Sequence, residues 1–115
     1  MPQYMLLLHE SPSAFKGLSP EQMQAIFGRY KAWGQSLRTQ GRMVGGSKLR
    51  DGEGRVLRLN GSKPLVTDGP YSESKEVIGG YYTIEADDYE HAIETAKECP
   101  HVDFGTIEIR QIEKM

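Results

Sequence analysis

The chain has 115 residues, of which 37% are hydrophobic and 26% are charged, and these proportions predict one soluble globular domain rather than a disordered chain. A formal net charge of −2, from 14 basic and 16 acidic residues, gives no electrostatic basis for binding nucleic acid. No apolar run is long enough for a membrane span or a signal sequence, and Cys99 is the single cysteine. We therefore expect a cytoplasmic protein with no membrane partner and no internal disulfide.

The chain begins with a predicted strand and a long predicted helix. Residues 3–9, "QYMLLLH", have apolar side chains without alternation, which is typical of a strand buried on both faces. Ser19 is the expected N-cap of the helix, and Gln22 completes a capping box with it. Apolar side chains then recur at helical spacing until Gly41, which ends the helix.

Four further strands are predicted in the middle of the chain. "RMVGGSKL" is the first, and "GRVLRLN" and "KPLVT" form the two arms of a small hairpin that spans residues 54–67. The fourth strand, "VIGGYYTIE", contains Gly79 and Gly80. Adjacent glycines within a strand indicate that another group approaches its backbone closely.

A second helix and a last strand complete the predicted order. Asp87 is the expected N-cap, with Glu90 three residues later, and Pro100 ends the helix. "GTIEIRQI" then alternates as a strand. The order strand, helix, strand, inserted hairpin, strand, helix, strand predicts a ferredoxin-like α+β sandwich, βαββαβ, with both helices on one face of an antiparallel sheet.

Alternation along the strands predicts which sheet face the helices leave uncovered. Tyr82 and Ile84 share one face of their strand and are expected to meet the helices. Tyr81, Glu108 and Arg110 fall on the opposite, mixed face, which is expected to be open. An open face of this character favours a wet, partly apolar pocket or a partner sheet.

The string "DGPYSESKEVIGGYY", from Asp68 to Tyr82, resembles the signature of the YCII-related family, in particular its group with the DGPF motif. Tyr71 replaces the phenylalanine of that motif. The resemblance covers nearly the whole chain, from "YMLLLH" and "LSPEQM" through "GGSKL" and "PLVTDGP" to "IEIR". It implies a dimeric α+β barrel in which the open sheet faces of two subunits pack together and leave a pocket.

The resemblance also bears on function. Related barrels include isomerases, dehydrochlorinases and monooxygenases that act on small organic molecules, and some members of the DGPF group are associated with regulatory systems. Part of the wider family has a proposed catalytic histidine on the first helix. Tyr30 occupies that position here, which argues against direct transfer of a histidine-centred mechanism.

The candidate site residues follow from these patterns, each with a structural alternative. Asp68 either belongs to a plain Asp-Gly-Pro turn or is held at a pocket mouth as ligand anchor or general base. His9 is either a satisfied strand-end histidine or the second catalytic candidate. Arg110 is either a cross-strand charge or a carboxylate-binding group. The predicted ligand-binding residues are Tyr71, Lys75, Gly79, Gly80, Tyr81 and Arg110.

Two functions remain open on the sequence alone. One is a cofactor-free enzyme that performs proton transfer on a small organic acid or a phenolic metabolite, and the other is a non-catalytic ligand-binding or accessory module. A structural role in a pocket-free homodimer is a third alternative. We expect an anionic or carbonyl-bearing ligand, no cofactor and no metal, because Cys99 and the three histidines lack zinc-ligand spacing. The pocket is expected where the Asp68 loop meets the end of the first strand and the open face.

Overall fold

The computed structural model describes residues 1–69 and 76–115. Its elements are, in chain order, β1 (Gln3–Glu10), α1 (Pro20–Thr39), β2 (Met43–Lys48), β3 (Arg55–Asn60), β4 (Lys63–Asp68), β5 (Val77–Glu85), α2 (Tyr89–Lys97), a 3-10 helix (Pro100–Asp103) and β6 (Gly105–Gln111). In this part of the chain, neither α-helix combines the length and the apolar character that crossing a membrane requires.

The main sheet has four strands in the order β2-β5-β1-β6, and all its neighbours are antiparallel. Leu6 in the centre of β1 lies opposite Tyr82 of β5 on one side and Ile109 of β6 on the other. Both helices contribute to a core on one face of this sheet, through residues such as Trp33 and Ala92. The predicted ferredoxin-like α+β fold is therefore confirmed.

Burial along β1 alternates between the two faces of the sheet. The helix face carries the buried side chains, which are Tyr4, Leu6, Leu8 and Glu10. The opposite face, called the open face below, carries the half-buried Gln3, Met5, Leu7 and His9. In the single chain β1 is thus not buried on both faces as the apolar run predicted, because the helices cover only one of them.

Both ends of α1 are fixed by local hydrogen bonds. The predicted capping box is present: Gln22 N–H donates to Ser19 Oγ at 3.1 Å, and Ser19 N–H donates to Gln22 Oε1 at 2.8 Å. At the other end Gly41 has φ +72°, and Arg42 N–H donates to the carbonyl of Leu37 at 2.9 Å. This is the Schellman pattern, which ends the helix at the predicted glycine.

The start of α2 differs from the prediction by one residue. Asp88, not Asp87, is the N-cap, and its side chain accepts a hydrogen bond from His91 N–H at 2.8 Å. Asp87 instead donates its own N–H to His91 Nδ1 at 2.9 Å. The imidazole of His91 thus accepts a hydrogen bond from the backbone of the residue before the N-cap. Pro100 does not directly end α2, which finishes at Lys97. It opens the 3-10 helix that carries His101 into the interior.

The inserted hairpin is present as a separate two-stranded sheet of β3 and β4. Leu57 pairs with Val66, and Arg55 pairs with Asp68 at its base. The side chains of Leu57 and Leu59 are both 69% exposed. The hairpin therefore adds no buried core to the single chain.

Candidate small-molecule site

A cavity of about 220 Å³ lies between α1 and the helix face of the sheet. Aromatic and aliphatic side chains form most of its wall: Leu8, Phe15, Phe27, Tyr30 and Tyr82. In the described part of the wall, the acidic and basic side chains are those of Glu10, Lys48 and His101. An apolar cavity of about 150 Å³ can hold benzene, so this space admits a compound with one substituted ring.

Glu10 is the acidic group of this cavity. It ends β1 on the helix face and is only 7% exposed. Burial raises the pKa of its carboxyl group, and the nearby Lys48 opposes that shift. Within residues 1–69 and 76–115, no group donates a hydrogen bond to the Glu10 carboxylate. Glu10 is therefore a desolvated acceptor in a largely apolar space.

Gly79 and Gly80 make room beside Glu10, as their pairing in the sequence predicted. A side chain at Gly79 would overlap the Glu10 carboxylate. A Cβ at Gly80 would lie 2.9 Å from the carbonyl oxygen of Ser47 on the neighbouring strand. The close approach inferred from the glycine pair is thus that of the Glu10 side chain and the β2 backbone.

Tyr30 and His101 form a hydrogen-bonded pair at the cavity wall. The Tyr30 hydroxyl lies 2.8 Å from His101 Nδ1, and His101 Nε2 lies 2.8 Å from the carbonyl oxygen of His9. His101 is 1% exposed, and burial lowers its pKa, so the ring is neutral near pH 7. Because a carbonyl can only accept, Nε2 carries the proton. Nδ1 is then the acceptor and Tyr30 the donor.

Gly105 permits the bond between His101 and the backbone of His9. A Cβ at Gly105 would overlap the carbonyl oxygen of His9 and would lie 2.9 Å from His101 Nε2. The absence of a side chain at the start of β6 therefore lets the imidazole reach the end of β1. This contact fixes the tautomer of His101.

Two carboxylates act on the Tyr30–His101 pair. The pKa of Tyr30 is raised first by burial, then by Cys99 and then by Glu10. Glu76 is close enough to oppose part of the lowering of the pKa of His101. Glu76 Oε2 is itself buried and has no hydrogen-bond partner within the described residues. Glu10 at the cavity wall and Glu76 thus both place negative charge near the Tyr30–His101 pair.

The predicted residues of the open face lie on the other side of the sheet from this cavity. His9 Nε2 lies 2.9 Å from Glu108 Oε1. Tyr81 is opposite Leu7, and Arg110 is opposite Met5. The structure brings His9 and Glu108 together but separates them from the cavity. Their role in a site stays a prediction.

Asp68 lies apart from both groups. It ends β4, its side chain is 93% exposed, and Arg55 Nη1 lies 3.6 Å from its Oδ1. Tyr71 and Lys75, together with Pro70 and Glu73, lie outside the described residues. The predicted roles of Asp68, Tyr71 and Lys75 therefore stay predictions.

Glu10 and His101 are two of the cavity residues that the sequence did not identify as candidates. For His101, Pro100 marks the end of a helical pattern but does not show where the next turn points. The burial of Glu10 could have been predicted from the sequence, because alternate residues of a strand share one face. The residues on that face of the first strand are Tyr4, Leu6, Leu8 and Glu10. An acidic residue at the end of an inward-facing row predicts a buried carboxylate.

No group of three or more metal-ligating side chains is present within residues 1–69 and 76–115.

The profile of the YCII-related domain matches residues 2–115. A search of curated proteins gives no match. The match spans nearly the whole chain, and the chain belongs to the YCII-related family.

Proposed function

We propose that this YCII-related protein uses the cavity between α1 and the sheet for cofactor-free proton transfer on a small organic molecule. Glu10 is the general base. The supporting observation is its carboxylate, 7% exposed, with a raised pKa, in a space lined by Leu8, Phe15 and Phe27. A base is most effective when its pKa approaches the working pH, and burial moves a carboxyl group in that direction.

The proposed chemistry is an isomerase-like or lyase-like reaction. In the isomerase-like reaction Glu10 takes a proton from one carbon of the bound compound, and the same carboxyl group returns it to another carbon. In the lyase-like reaction Glu10 takes the proton while the bond from the adjacent carbon to the leaving group breaks, and the carboxyl group then gives the proton to the departing group. The apolar wall excludes water from this exchange. The hydrogen bond to His101 holds the hydroxyl oxygen of Tyr30 at the same wall. No metal or organic cofactor is needed for a proton that leaves and returns within one site.

A non-catalytic binding or accessory module, in a regulatory system, is the second candidate. It uses the same cavity without turnover. The observation that favours it is Tyr30 at the position where part of the family has a proposed catalytic histidine. Tyr30 has a phenol instead of a basic imidazole, and its hydroxyl already donates a hydrogen bond to His101.

Deuterium exchange separates these two candidates. Small ketones and phenols are incubated with the protein in D₂O, and the loss of C–H signals is followed by proton NMR. The enzyme proposal expects exchange in at least one compound, with a rate at least 100-fold lower in Glu10→Gln. Glu113→Gln, at an exposed position, is the control. Binding without exchange would instead support the accessory module.

We further propose that the chain is a homodimer of the DGPF group, joined through the open face. The half-buried Met5, Leu7 and Tyr81 of that face support this assembly. Arg110 at the dimer interface would favour an anionic or carbonyl-bearing ligand there. Light scattering at micromolar concentration is expected to give twice the chain mass, and a monomer mass would contradict the dimer.

A further inference from the structure

Among the described side chains of the cavity wall, Glu10, Tyr30 and His101 offer a ligand acceptors rather than donors. The Glu10 carboxylate accepts no hydrogen bond from any residue in the described part of the chain. The Tyr30 proton is committed to His101 Nδ1, so the phenol oxygen can offer a ligand only its lone pairs. The Nε2 proton of His101 is committed to the carbonyl of His9. Neither ring of the pair has a donor to spare.

Lys48 is the cation in the described part of the cavity wall, and two of the three N–H donors of its ammonium group are engaged. Nζ donates to the carbonyl of Leu49 at 3.0 Å and to Asp51 Oδ1 at 2.8 Å. Its charge is partly balanced by the ion pair with Asp51, and it also opposes the raised pKa of Glu10. A ligand carboxylate would have to enter beside Glu10, at the cost of like-charge repulsion in a desolvated space.

The shape of the wall restricts the ligand further. Phe15, Phe27 and the rings of Tyr30 and Tyr82 surround the space. Phe15 also packs on Phe104 with ring centroids 5.5 Å apart, so its ring is held in place. A flat aromatic ligand suits such a wall, because aromatic rings prefer stacked or edge-to-face neighbours.

From this arrangement we infer that the cavity selects a neutral aromatic compound by a hydroxyl group that donates to Glu10 and Tyr30: a phenol, not an organic acid. The inference rests on the proposed function, because it names the ligand class of the same site. The phenol hydroxyl gives Glu10 a charge-assisted hydrogen bond. A site built to accept from a hydroxyl rejects the matched compound without one, since its buried acceptors are then left unpaired.

Three probes with the same ring test this inference: 4-methylphenol, 4-methylanisole and 4-methylbenzoate. Methylation in the second removes the donor and retains the oxygen, and the third replaces the hydroxyl by an anion. Binding to the full chain is measured by two-dimensional NMR at pH 7. We expect 4-methylphenol to bind at least tenfold more tightly than 4-methylanisole, and 4-methylbenzoate to bind most weakly. The amides of Gly79, Gly80 and His101 should shift.

Glu10→Gln and the exposed control Glu90→Gln link this preference to the carboxylate. In Glu10→Gln the phenol-to-anisole ratio should fall below threefold, because a neutral amide accepts less strongly and can also donate to the ether oxygen. The ratio should be unchanged in Glu90→Gln. If Glu10→Gln does not fold, a rise in the wild-type ratio with pH, as Glu10 ionises, gives the same information. A ratio independent of pH would overturn the inference.

The outcomes separate this inference from the proposed site. Equal binding of 4-methylphenol and 4-methylanisole in the cavity, or tighter binding of 4-methylbenzoate there, overturns selection by a donor and leaves the cavity as a site. If none of the probes shifts the cavity amides, or if all shifts fall on open-face residues such as His9 and Arg110, both the inference and the proposed function are wrong.

Discussion

The Tyr30 hydroxyl and His101 Nδ1 are 2.8 Å apart, although 71 residues separate them in the chain. The bond joins α1 to the 3-10 helix before β6 and is part-buried. It connects two layers of the fold at the wall of the cavity. We therefore expect the stability of the fold, and ligand binding in the proposed cavity, to depend on it.

Tyr30→Phe should lower the free energy of unfolding by about 1–3 kcal/mol, because it leaves His101 Nδ1 buried without a donor. Urea denaturation followed by circular dichroism measures this change. Tyr81→Phe, on the open face, is the control and should change the value by less than about 0.5 kcal/mol. Equal effects of the two substitutions would contradict the assigned hydrogen bond.

The protein should lose stability in mild acid because of His101. Burial lowers the pKa of this histidine below its ordinary value near 6.5. The unfolded chain therefore binds a proton before the folded chain does. The resulting stability is fully present above about pH 6.5 and is lost as the pH falls through the lowered folded value. The slope approaches about 1.4 kcal/mol per pH unit.

Proton NMR of the imidazole checks this directly. The ring of His101 should titrate below pH 6.5, and replacement of the half-buried His91 by Gln should leave most of the acid-dependent loss in place. A folded-state value for His101 at or above 6.5 would remove the physical basis of the prediction.

Alanine at Gly79 and at Gly105 should have different effects. At Gly79 the new Cβ meets the flexible end of Glu10, which can move, so the loss of stability should stay below about 1 kcal/mol while probe binding weakens. At Gly105 it meets the backbone carbonyl of His9, and the loss should reach about 1–3 kcal/mol. Thermal and urea unfolding measure both values.

Gly45→Ala is the matched control, because a Cβ there meets nothing within 4 Å. Its stability should remain within about 0.5 kcal/mol of the wild type. A Gly79→Ala variant with unchanged probe binding would show that the position of Glu10 is not important for the site.

Cys99 should be inert in the native protein. It is fully buried, and burial raises the pKa of its thiol to about 11. The reactive thiolate is therefore scarce at neutral pH. A chromogenic disulfide reagent should modify Cys99 at least 100-fold more slowly in buffer than in denaturant. Rapid labelling of the folded chain would contradict this burial.

Local patterns in the sequence were sufficient to predict the fold. The Ser19–Gln22 box and Gly41 define the ends of α1, and alternation in β5 and β6 separates the two sheet faces. The cavity could not be predicted in the same way. It depends on where a turn of 3-10 helix directs His101, and that direction is set by contacts with Tyr30 and the His9 backbone, which are distant in sequence.

His9 belongs to both sides of the sheet through different atoms. Its imidazole contacts Glu108 on the open face, while its main-chain oxygen accepts a hydrogen bond from His101 Nε2 on the cavity side. Every amino acid has that main-chain oxygen. Replacement of the side chain at position 9 therefore changes the open face, and the oxygen remains available to His101 on the cavity side. A substitution of His9 is therefore expected to change the open face and to leave the hydrogen bond at the cavity in place.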